Sequence, residues 1–447
     1  MLETISMTTH RLIAYMQANV NLIANHLLVV AAFFLSIGAS VPHDVFQILL
    51  VLFILFKSEK LESLKAAFKN PVVMSFVLYV LMAYIWVLVS DDMAFSYGKA
   101  KDLKFFLFAL LIFVFVEYKY IDRIITAFLV GVFISELFSY ALSLGFIDGP
   151  FMFSYELASI TNPSPFQHHI HYGFILAIAS VLLLELIYRS RSIKEKSVAI
   201  LFFSLISVNL VMNVSRTGYI LYVIGIFVFL VLHYKKNLLK IGLVFIVLMS
   251  TAFFLAYNFS SMFQKRVDLT ISSVKKIVYE DNYKSSIGIR FMQYGRAIES
   301  WKERPLTGHG TGMHLLVVGE KRGADLTHRK EKFQYSSLDS QYFDGLVQFG
   351  IIGLLVFLNI FYQLFRYKQP DKYLKDLQYI FVILYLLYSL QTGSMRTGMV
   401  PYVLFFIMTL SLIPKKDDTV LPKVSCREIL FYTIAGSILF MISPYVM

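Results

Sequence analysis

The fold of this chain is set by residues 197–234, which read SVAILFFSLISVNLVMNVSRTGYILYVIGIFVFLVLHY. The stretch contains two apolar runs, 197–214 and 218–234, each close to the roughly 20 residues that an α-helix needs to cross a bilayer. Between the runs stands Arg216, in the corner Ser215-Arg216-Thr217-Gly218. A charge at a membrane edge is costly unless it is paired or serves a ligand, so Arg216 is a candidate functional residue.

A second arginine occurs in the same setting. Arg396, in Met395-Arg396-Thr397-Gly398, separates another pair of apolar runs. The topology derived below places both corners at one face of the membrane. Two arginines at one face suggest a site for an anion.

The composition extends the membrane pattern to the whole chain. Hydrophobic residues make up 57% of its 447 residues, aromatic residues 16%, and the mean hydropathy is +0.67. These values exceed what a soluble protein can bury, so we predict an all-α polytopic membrane protein with 12 or 13 transmembrane helices. We expect the first run to act as an uncleaved anchor. The predicted spans are 22–41, 43–57, 71–90, 103–117, 124–147, 170–188, 197–214, 218–234, 239–258, 341–365, 377–395, 397–413 and 428–446.

The short connections give the orientation, because Lys and Arg accumulate on the cytoplasmic side. Five basic connections fall on one side in this count, which predicts a cytoplasmic N-terminus and an outward position for both arginine corners. The net charge of +12 reflects this bias and does not indicate nucleic-acid binding. The basic residues are Lys57, Lys60, Lys65, Lys69, Arg189, Arg191, Lys194, Lys196, Lys235, Lys236, Lys240, Arg366, Lys368, Lys372, Lys375, Lys415, Lys416, Lys423 and Arg427.

One long hydrophilic loop divides the chain. We predict an N-terminal bundle of about nine spans at 1–258, an outer loop domain with short amphipathic helices at 259–340, and a C-terminal bundle of about four spans at 341–447. The loop has fourteen Lys and Arg against nine Asp and Glu. Long loops are exempt from the positive-inside rule, so this surplus does not refute an outer position. It suggests an anionic partner, with a solvated loop of ordinary charge as the alternative.

Two motifs stand out inside the loop. Residues 287–301 predict an amphipathic helix that contains Arg290, with Ser285 or Ser286 as its cap. After it comes Pro305-Leu306-Thr307-Gly308-His309-Gly310-Thr311-Gly312-Met313-His314, where the glycines permit unusual backbone angles and allow N–H groups to approach an anion. The turn lacks the lysine of a phosphate-binding loop, so alone it is weak evidence.

A histidine cluster precedes the sixth run. His168 and His171 have the i, i+3 spacing that points two imidazoles in one direction, which suits either a metal or the lining of a substrate site. We favour the substrate site. We expect no metal ion or other cofactor, since no outward carboxylate cluster recommends one apart from Asp91-Asp92, which we interpret as a solvated helix end.

These motifs resemble the O-antigen ligase and O-antigen polymerase superfamily of bacterial inner-membrane glycosyltransferases. The resemblance covers roughly residues 160–410. It rests on the Arg216 corner, the Gly-x-Arg helix at Arg290, the glycine-rich turn, and the Gln-Tyr-Phe segment that runs from Gln341 towards Gly350.

The resemblance implies a metal-independent, inverting transfer of a glycan from undecaprenyl diphosphate to a hydroxyl group at the periplasmic face. The acceptor is another lipid-linked glycan in polymerases and the lipid A-core in ligases, and a chain-length regulator is a candidate partner. Arg216 and Arg290 match the arginines that hold the diphosphate, and Arg396 matches a basic residue near the last common spans. Guanidinium groups suit this task because they stabilise the leaving diphosphate bidentately.

The residue that accepts the hydroxyl proton is left open. Ligases of this family carry a His-Asn pair about eleven residues before the glycine that corresponds to Gly350, and the histidine is the proposed base. Here that position is Asp339, and a carboxylate is the weaker general base at neutral pH. His309 and His314 in the adjacent turn are substitutes. This departure favours a polymerase over a ligase.

Two other classes of protein stay open. A transporter of the same lipid-linked glycan would also need membrane arginines, but transporters usually show internal repeats, and only the two arginine corners hint at one. The large outer loop fits a catalytic cap better. A scaffold without catalytic activity would tolerate loss of Arg216 and Arg290.

Overall fold

The computed structural model describes residues 2–37, 40–150, 155–319, 338–395, 400–412 and 427–428. Within these residues the regular elements are helices, and eight of them are long and apolar enough to cross a membrane. The expectation of an all-α polytopic membrane protein is confirmed. The α-helices are α1 Leu2–Ile37, α2 Ser40–Phe56, α3 Lys60–Lys69, α4 Pro71–Ile85, α5 Met93–Lys101, α6 Phe108–Phe115, α7 Ile121–Ser143, α8 His169–Arg189, α9 Ile193–Met212, α10 Arg216–His233, α11 Leu238–Phe259, α12 Ser261–Glu280, α13 Ser286–Glu303, α14 Gln341–Arg366, α15 Lys372–Tyr388 and α16 Val400–Ser411.

Each of the first twelve predicted runs coincides with a helix, and the thirteenth, 428–446, lies almost wholly outside the described residues. The short fourth run, 103–117, is a 3-10 turn followed by α6. The run predicted at 377–395 is too long at its end, because α15 stops at Tyr388. Helix α14 begins near its predicted start but breaks at Gly350, whose φ of 64° and ψ of −159° lie outside the helical region.

Helix α8 is the centre of the bundle, since most of its residues are buried between α9, α10 and α15. Helices α8 and α10 approach each other at two glycines: a Cβ placed on Gly173 would lie 2.9 Å from the Cα of Gly218. Near their other ends, His233 lies 3.3 Å from Glu185. The two helices are therefore parallel, and their N-termini share one face of the bundle, which we call the arginine face.

The segments predicted to be cytoplasmic meet at the opposite face. The Tyr118 hydroxyl donates to Asp371 over 2.7 Å, and the Arg189 guanidinium lies 3.7 Å from the ring centre of Tyr373. The grouping of these charged loops agrees with the loop pattern in the sequence. Which face is cytoplasmic stays a prediction.

Two helices fill the region between α11 and α14. Helix α13 confirms the amphipathic helix predicted at 287–301, and its cap is Ser285, whose hydroxyl accepts from the Gly288 N–H at 3.1 Å. Helix α12 was not predicted. Helix α13 packs on α14 through stacked rings of Tyr294 and Phe343, whose centroids are 4.5 Å apart. Both helices are thereby fixed beside the arginine face.

Candidate functional site

Arg216 opens α10 at the arginine face. The Ser215 hydroxyl caps the helix by accepting from the Gly218 N–H at 3.0 Å, which places the Arg216 side chain on the first turn. The side chain is partly buried, and its Nε has no hydrogen-bond partner among the described residues. The cations whose charges reach it most strongly are Arg266 and Arg290. Arg216 therefore belongs to a cluster of like charges.

Arg266 is the member of this cluster that the motifs did not reveal. It lies on α12, one turn after Phe263, whose ring packs 5.2 Å from that of Tyr219 on α10. This aromatic contact docks α12 at the start of α10 and brings Arg266 within electrostatic reach of Arg216. The Nε of Arg266 is also buried without a partner in the described structure. The apolar period of residues 261–280 behind a capping Ser260 was the signal that could have located the helix.

Arg290 joins the cluster from α13 and holds Asp339. Its Nε donates to the Asp339 carboxylate over 3.2 Å. Tyr294, one turn later on α13, donates to the Asp339 carbonyl over 3.1 Å, and burial raises the pKa of that phenol to about 12, so it remains a donor. Asp339 has a positive φ of 52° and immediately precedes Ser340, the N-cap residue of α14. Among the described residues, it is the carboxylate in contact with the arginine cluster.

The histidines at the start of α8 border the same cluster. His168 caps α8 by accepting from the Ile170 N–H at its Nδ1, so a neutral ring carries its proton on Nε2 and can donate from there. Burial lowers the pKa of His168, while the charge of Asp339 raises it and that of Arg290 lowers it. His168 is therefore placed near both members of the ion pair and stays neutral at physiological pH.

Two further histidines lie beside His168. His171 forms a hydrogen bond with Tyr388, the last residue of α15. His169 was not singled out from the sequence, yet its ring lies 4.1 Å from that of His168, and the charges of Arg266 and Arg290 act on it. The three imidazoles form one wall of the site.

The assembled site is positively charged. Arg216, Arg266 and Arg290 come from three helices, and α8 and α10 both direct N-termini to the same place. Helix N-termini carry partial positive charge, so the dipoles add to the charge of the arginines. Within the described structure Asp339 is the one carboxylate that faces this charge. The positive charge of the cluster suits an anion with more than one negative charge.

His309 and His314, the alternative base candidates, lie elsewhere. His309 is buried, and its Nε2 donates to the Ser300 carbonyl over 2.8 Å. His314 is also buried, with its Nε2 3.3 Å from the carboxylate of Asp344. These partners give both rings a place in the packing between the turn, α13 and α14. Because both rings are buried, an acceptor hydroxyl cannot reach either imidazole in this arrangement.

The glycine-rich turn has a structural function instead of the suggested anion contact. Gly308, Gly310 and Gly312 all have positive φ, of 64°, 106° and 78°. The amides of the turn donate hydrogen bonds to carbonyls of α14. The His309 N–H donates to the Val347 carbonyl over 2.8 Å, and the Gly310 N–H donates to the Gln348 carbonyl over 2.9 Å. The turn thus satisfies the backbone groups that the break at Gly350 leaves unpaired.

The remaining predictions concern Arg396 and the metal. Arg396 lies outside the described residues. Within the described residues, no group of three His, Cys, Asp or Glu side chains is arranged to hold a metal ion. Asp91 forms an ion pair with Arg304 over 3.1 Å, and Asp92 caps α5, so both have structural partners at their helix end.

The fold and this site define a polytopic helical membrane protein with a cationic cluster at one face. Residues 199–358, which contain Arg216, Arg266, Arg290 and Asp339, match the model of a family described as O-antigen ligase. The superfamily recognised from the motifs is confirmed for this segment.

A protein of Haemophilus influenzae described as uncharacterized is similar over 210 residues, with 25% identity. The similar region makes up 44% of this chain and 51% of that protein, so this chain spans about half the length of the relative it matches.

Proposed function

We propose that this protein is a glycosyltransferase that moves a glycan from a polyprenyl diphosphate, undecaprenyl diphosphate in bacteria, to a sugar hydroxyl at the outer face of the inner membrane. The observation that carries the proposal is the cluster of Arg216, Arg266 and Arg290. Among the described residues one carboxylate, that of Asp339, faces these three guanidinium groups, so the cluster is costly without an anionic ligand. A lipid diphosphate has the matching negative charge, and its headgroup lies at the face of the membrane, where we place the arginine cluster.

The arginines would stabilise the leaving group. The bond between C1 of the sugar and the diphosphate oxygen breaks with its electrons on that oxygen, and the bond between C1 and the acceptor oxygen forms. Guanidinium groups aimed at the developing charge lower the barrier without transferring a proton. The positive ends of α8 and α10 assist them.

Asp339 is the base that we assign. It is partly exposed, whereas His309 and His314 are buried with partners. Its ion pair with Arg290 orients the carboxylate beside the proposed diphosphate site. The acceptor proton passes to this carboxylate as the new bond forms, and an acceptor hydroxyl becomes more acidic as that bond develops, so a weak base suffices.

The acceptor that we propose is a second lipid-linked glycan, which makes the protein an O-antigen polymerase or an enzyme for a related surface polysaccharide. The presence of Asp339 in place of the histidine expected in a ligase supports this choice. The description of the matched family favours the ligase alternative, in which the acceptor is lipid A-core.

The test uses purified protein in detergent with a polyprenyl diphosphate-linked oligosaccharide. We expect release of polyprenyl diphosphate together with an elongated lipid-linked product. An elongated product formed only with added lipid A-core identifies a ligase, and the absence of product with either acceptor refutes glycosyl transfer. A transporter cannot act in this assay, because detergent leaves no second compartment.

Variants in the same assay distinguish an enzyme from a scaffold without catalytic activity. Arg216→Ala is expected to lower transfer by about 100-fold or more, the effect of removing one donor from an oxyanion site. Arg216→Lys retains the charge but loses the bidentate fork, so we expect partial activity. Lys302→Ala, an exposed substitution on α13, is the control and should leave transfer unchanged.

A further inference from the structure

Helix α12 presents an apolar stripe that the rest of the described structure does not cover. Ile271, Val274 and Val278 are 49%, 46% and 65% exposed. At 100° per residue these side chains lie within about 60° of arc on the helix. A soluble domain would bury such a stripe, so its exposure needs a partner.

The other flank of α12 faces the protein. Ser273 is buried there, and Arg266 lies on the same side, about 110° from the centre of the stripe. Phe263, about 50° from that centre, is buried at the border between the two sides. Lys265 and Lys276 lie on the opposite side from the stripe. Helix α12 therefore has three distinct sides: one packed on the bundle, one apolar and one basic.

The position of α12 in the chain identifies what covers the stripe. Helix α11 is a candidate span whose apolar residues are not buried inside the protein, so its surface faces lipid. It ends at Phe259, which is 84% exposed, and α12 begins two residues later at Ser261. Helix α12 thus starts at the level where the lipid-facing surface of α11 ends. Four cations against two acids on α12 also suit anionic phospholipid headgroups.

We propose that α12 lies in the interface of the outer leaflet, with its stripe in the acyl boundary and its lysines among the headgroups. The occupant of the stripe is the phospholipid bilayer itself. This contact does not depend on the proposed function. If that function holds, the contact has a use, because it fixes Arg266 at the level of lipid phosphates and beside the entry for a lipid-linked diphosphate.

The position is measurable by site-directed spin labelling. Cys426 is the only cysteine, so Cys426→Ser provides a background without thiols. Single labels are attached at Ile271→Cys and Val278→Cys on the stripe, and at Lys276→Cys as the matched control on the exposed basic side of the same helix. The protein is reconstituted in vesicles of phosphatidylethanolamine and phosphatidylglycerol. Collision rates are measured with oxygen, which concentrates in the bilayer, and with a neutral nickel chelate, which stays in water.

We expect the spin labels at positions 271 and 278 to collide more often with oxygen than with the nickel chelate. We expect the label at position 276 to collide more often with the nickel chelate. Strong nickel access at all three positions would place α12 in water and overturn the proposal. Low access to both reagents at 271 and 278 would mean that protein, such as a second copy of the chain, covers the stripe, and would also overturn it.

A separate experiment tests whether glycosyl transfer depends on the contact between α12 and the bilayer. The double substitution Ile271→Asp with Val278→Asp should lower glycosyl transfer in vesicles and leave transfer in detergent intact, whereas Arg266→Ala should lower it in both. Full activity of the double variant in vesicles, with the labels still reporting lipid, would separate membrane contact from catalysis. Absence of transfer by the unaltered protein in either medium would refute the proposed function and leave the labelling result standing.

Discussion

Arg290 and Asp339 form an ion pair with 3.2 Å between Nε and the carboxylate, which joins α13 to the residue before the cap of α14. The pair connects the helix that supplies one arginine of the cluster to the only carboxylate that faces it in the described structure. Under the proposed function, the pair sets the geometry between a group that would hold the diphosphate and the group that would accept the proton.

Asp339→Asn removes the base and nearly preserves the shape. We expect glycosyl transfer to fall by about 100-fold or more, within the range typical of general bases. The binding of donor should change little, because the three arginines remain. Initial rates over donor concentration check both statements, and an unchanged maximal rate would exclude Asp339 as the base.

Asp339→His tests the assignment of Asp339 as the base by placing a different titratable group at this position. An imidazole at this position should restore part of the activity lost in Asp339→Asn and move the acidic limb of the pH profile up to about 6.5. A pH profile identical to that of the unaltered protein would place the base elsewhere.

Arg266→Ala tests the residue that the motifs did not reveal. We expect a loss of about 100-fold in transfer, comparable to Arg216→Ala, because each removes one cation from the same anion site. Lys275→Ala, an exposed change on α12, should leave transfer unchanged. Equal activities of the Arg266 and Lys275 variants would remove Arg266 from the site.

Gly308→Ala tests the structural function of the turn. A Cβ at this position would lie 2.5 Å from the carbonyl carbon of Gln348, and the φ of 64° resists any side chain. We expect the free energy of unfolding to fall by about 1 kcal/mol or more. Gly295→Ala on α13 is the control, since nothing lies within 4 Å of its Cβ, and helix propensity predicts equal or higher stability. Thermal unfolding in detergent compares the two, and an unchanged melting temperature for Gly308→Ala would contradict this explanation.

His168 predicts a pH dependence of stability. Because burial lowers its pKa in the folded protein, the folded state binds fewer protons than the unfolded chain in mildly acidic solution. The contribution is therefore complete above about pH 6.5 and declines as the pH falls towards the lowered pKa. His168→Asn keeps an acceptor for the α8 cap and should lose less stability between about pH 7.5 and 5.5. Parallel pH dependence of both melting curves would exclude His168 as the source.

A chelator distinguishes arginines from a metal as the source of positive charge. If Arg216, Arg266 and Arg290 hold the diphosphate, transfer should continue after dialysis against EDTA. Loss of activity that returns with a divalent cation would contradict the proposal.

The fold was largely predictable because membrane spans have a strong signal. A run such as 218–234 must be helical in lipid, where every backbone group needs an internal partner. The break at Gly350 was not predictable, since it depends on amides and carbonyls that the turn at Gly308 supplies from a distant part of the chain. The predicted run was drawn through residues 389–395 because they carry no charge, but most of them are polar or glycine, and α15 ends before them at Tyr388.

The site was predictable only in part. Arg216 and Arg290 stand in recognisable local motifs, whereas Arg266 gains its meaning from the docking of Phe263 on Tyr219, a contact between separate helices. The same limit applied to His309 and His314. Their spacing in the turn suggested access to substrate, but their burial depends on how α13 and α14 pack against that turn.

The contact between Gly173 and Gly218 has a mechanical consequence. Because two backbones touch there, α8 and α10 move as one body, and the distance between His168 and Arg216 is fixed. Arg266 stands on α12, which reaches the start of α10 through the contact between the rings of Phe263 and Tyr219. We therefore expect the site to open for product release on the α12 side, while the histidine wall and Arg216 remain still.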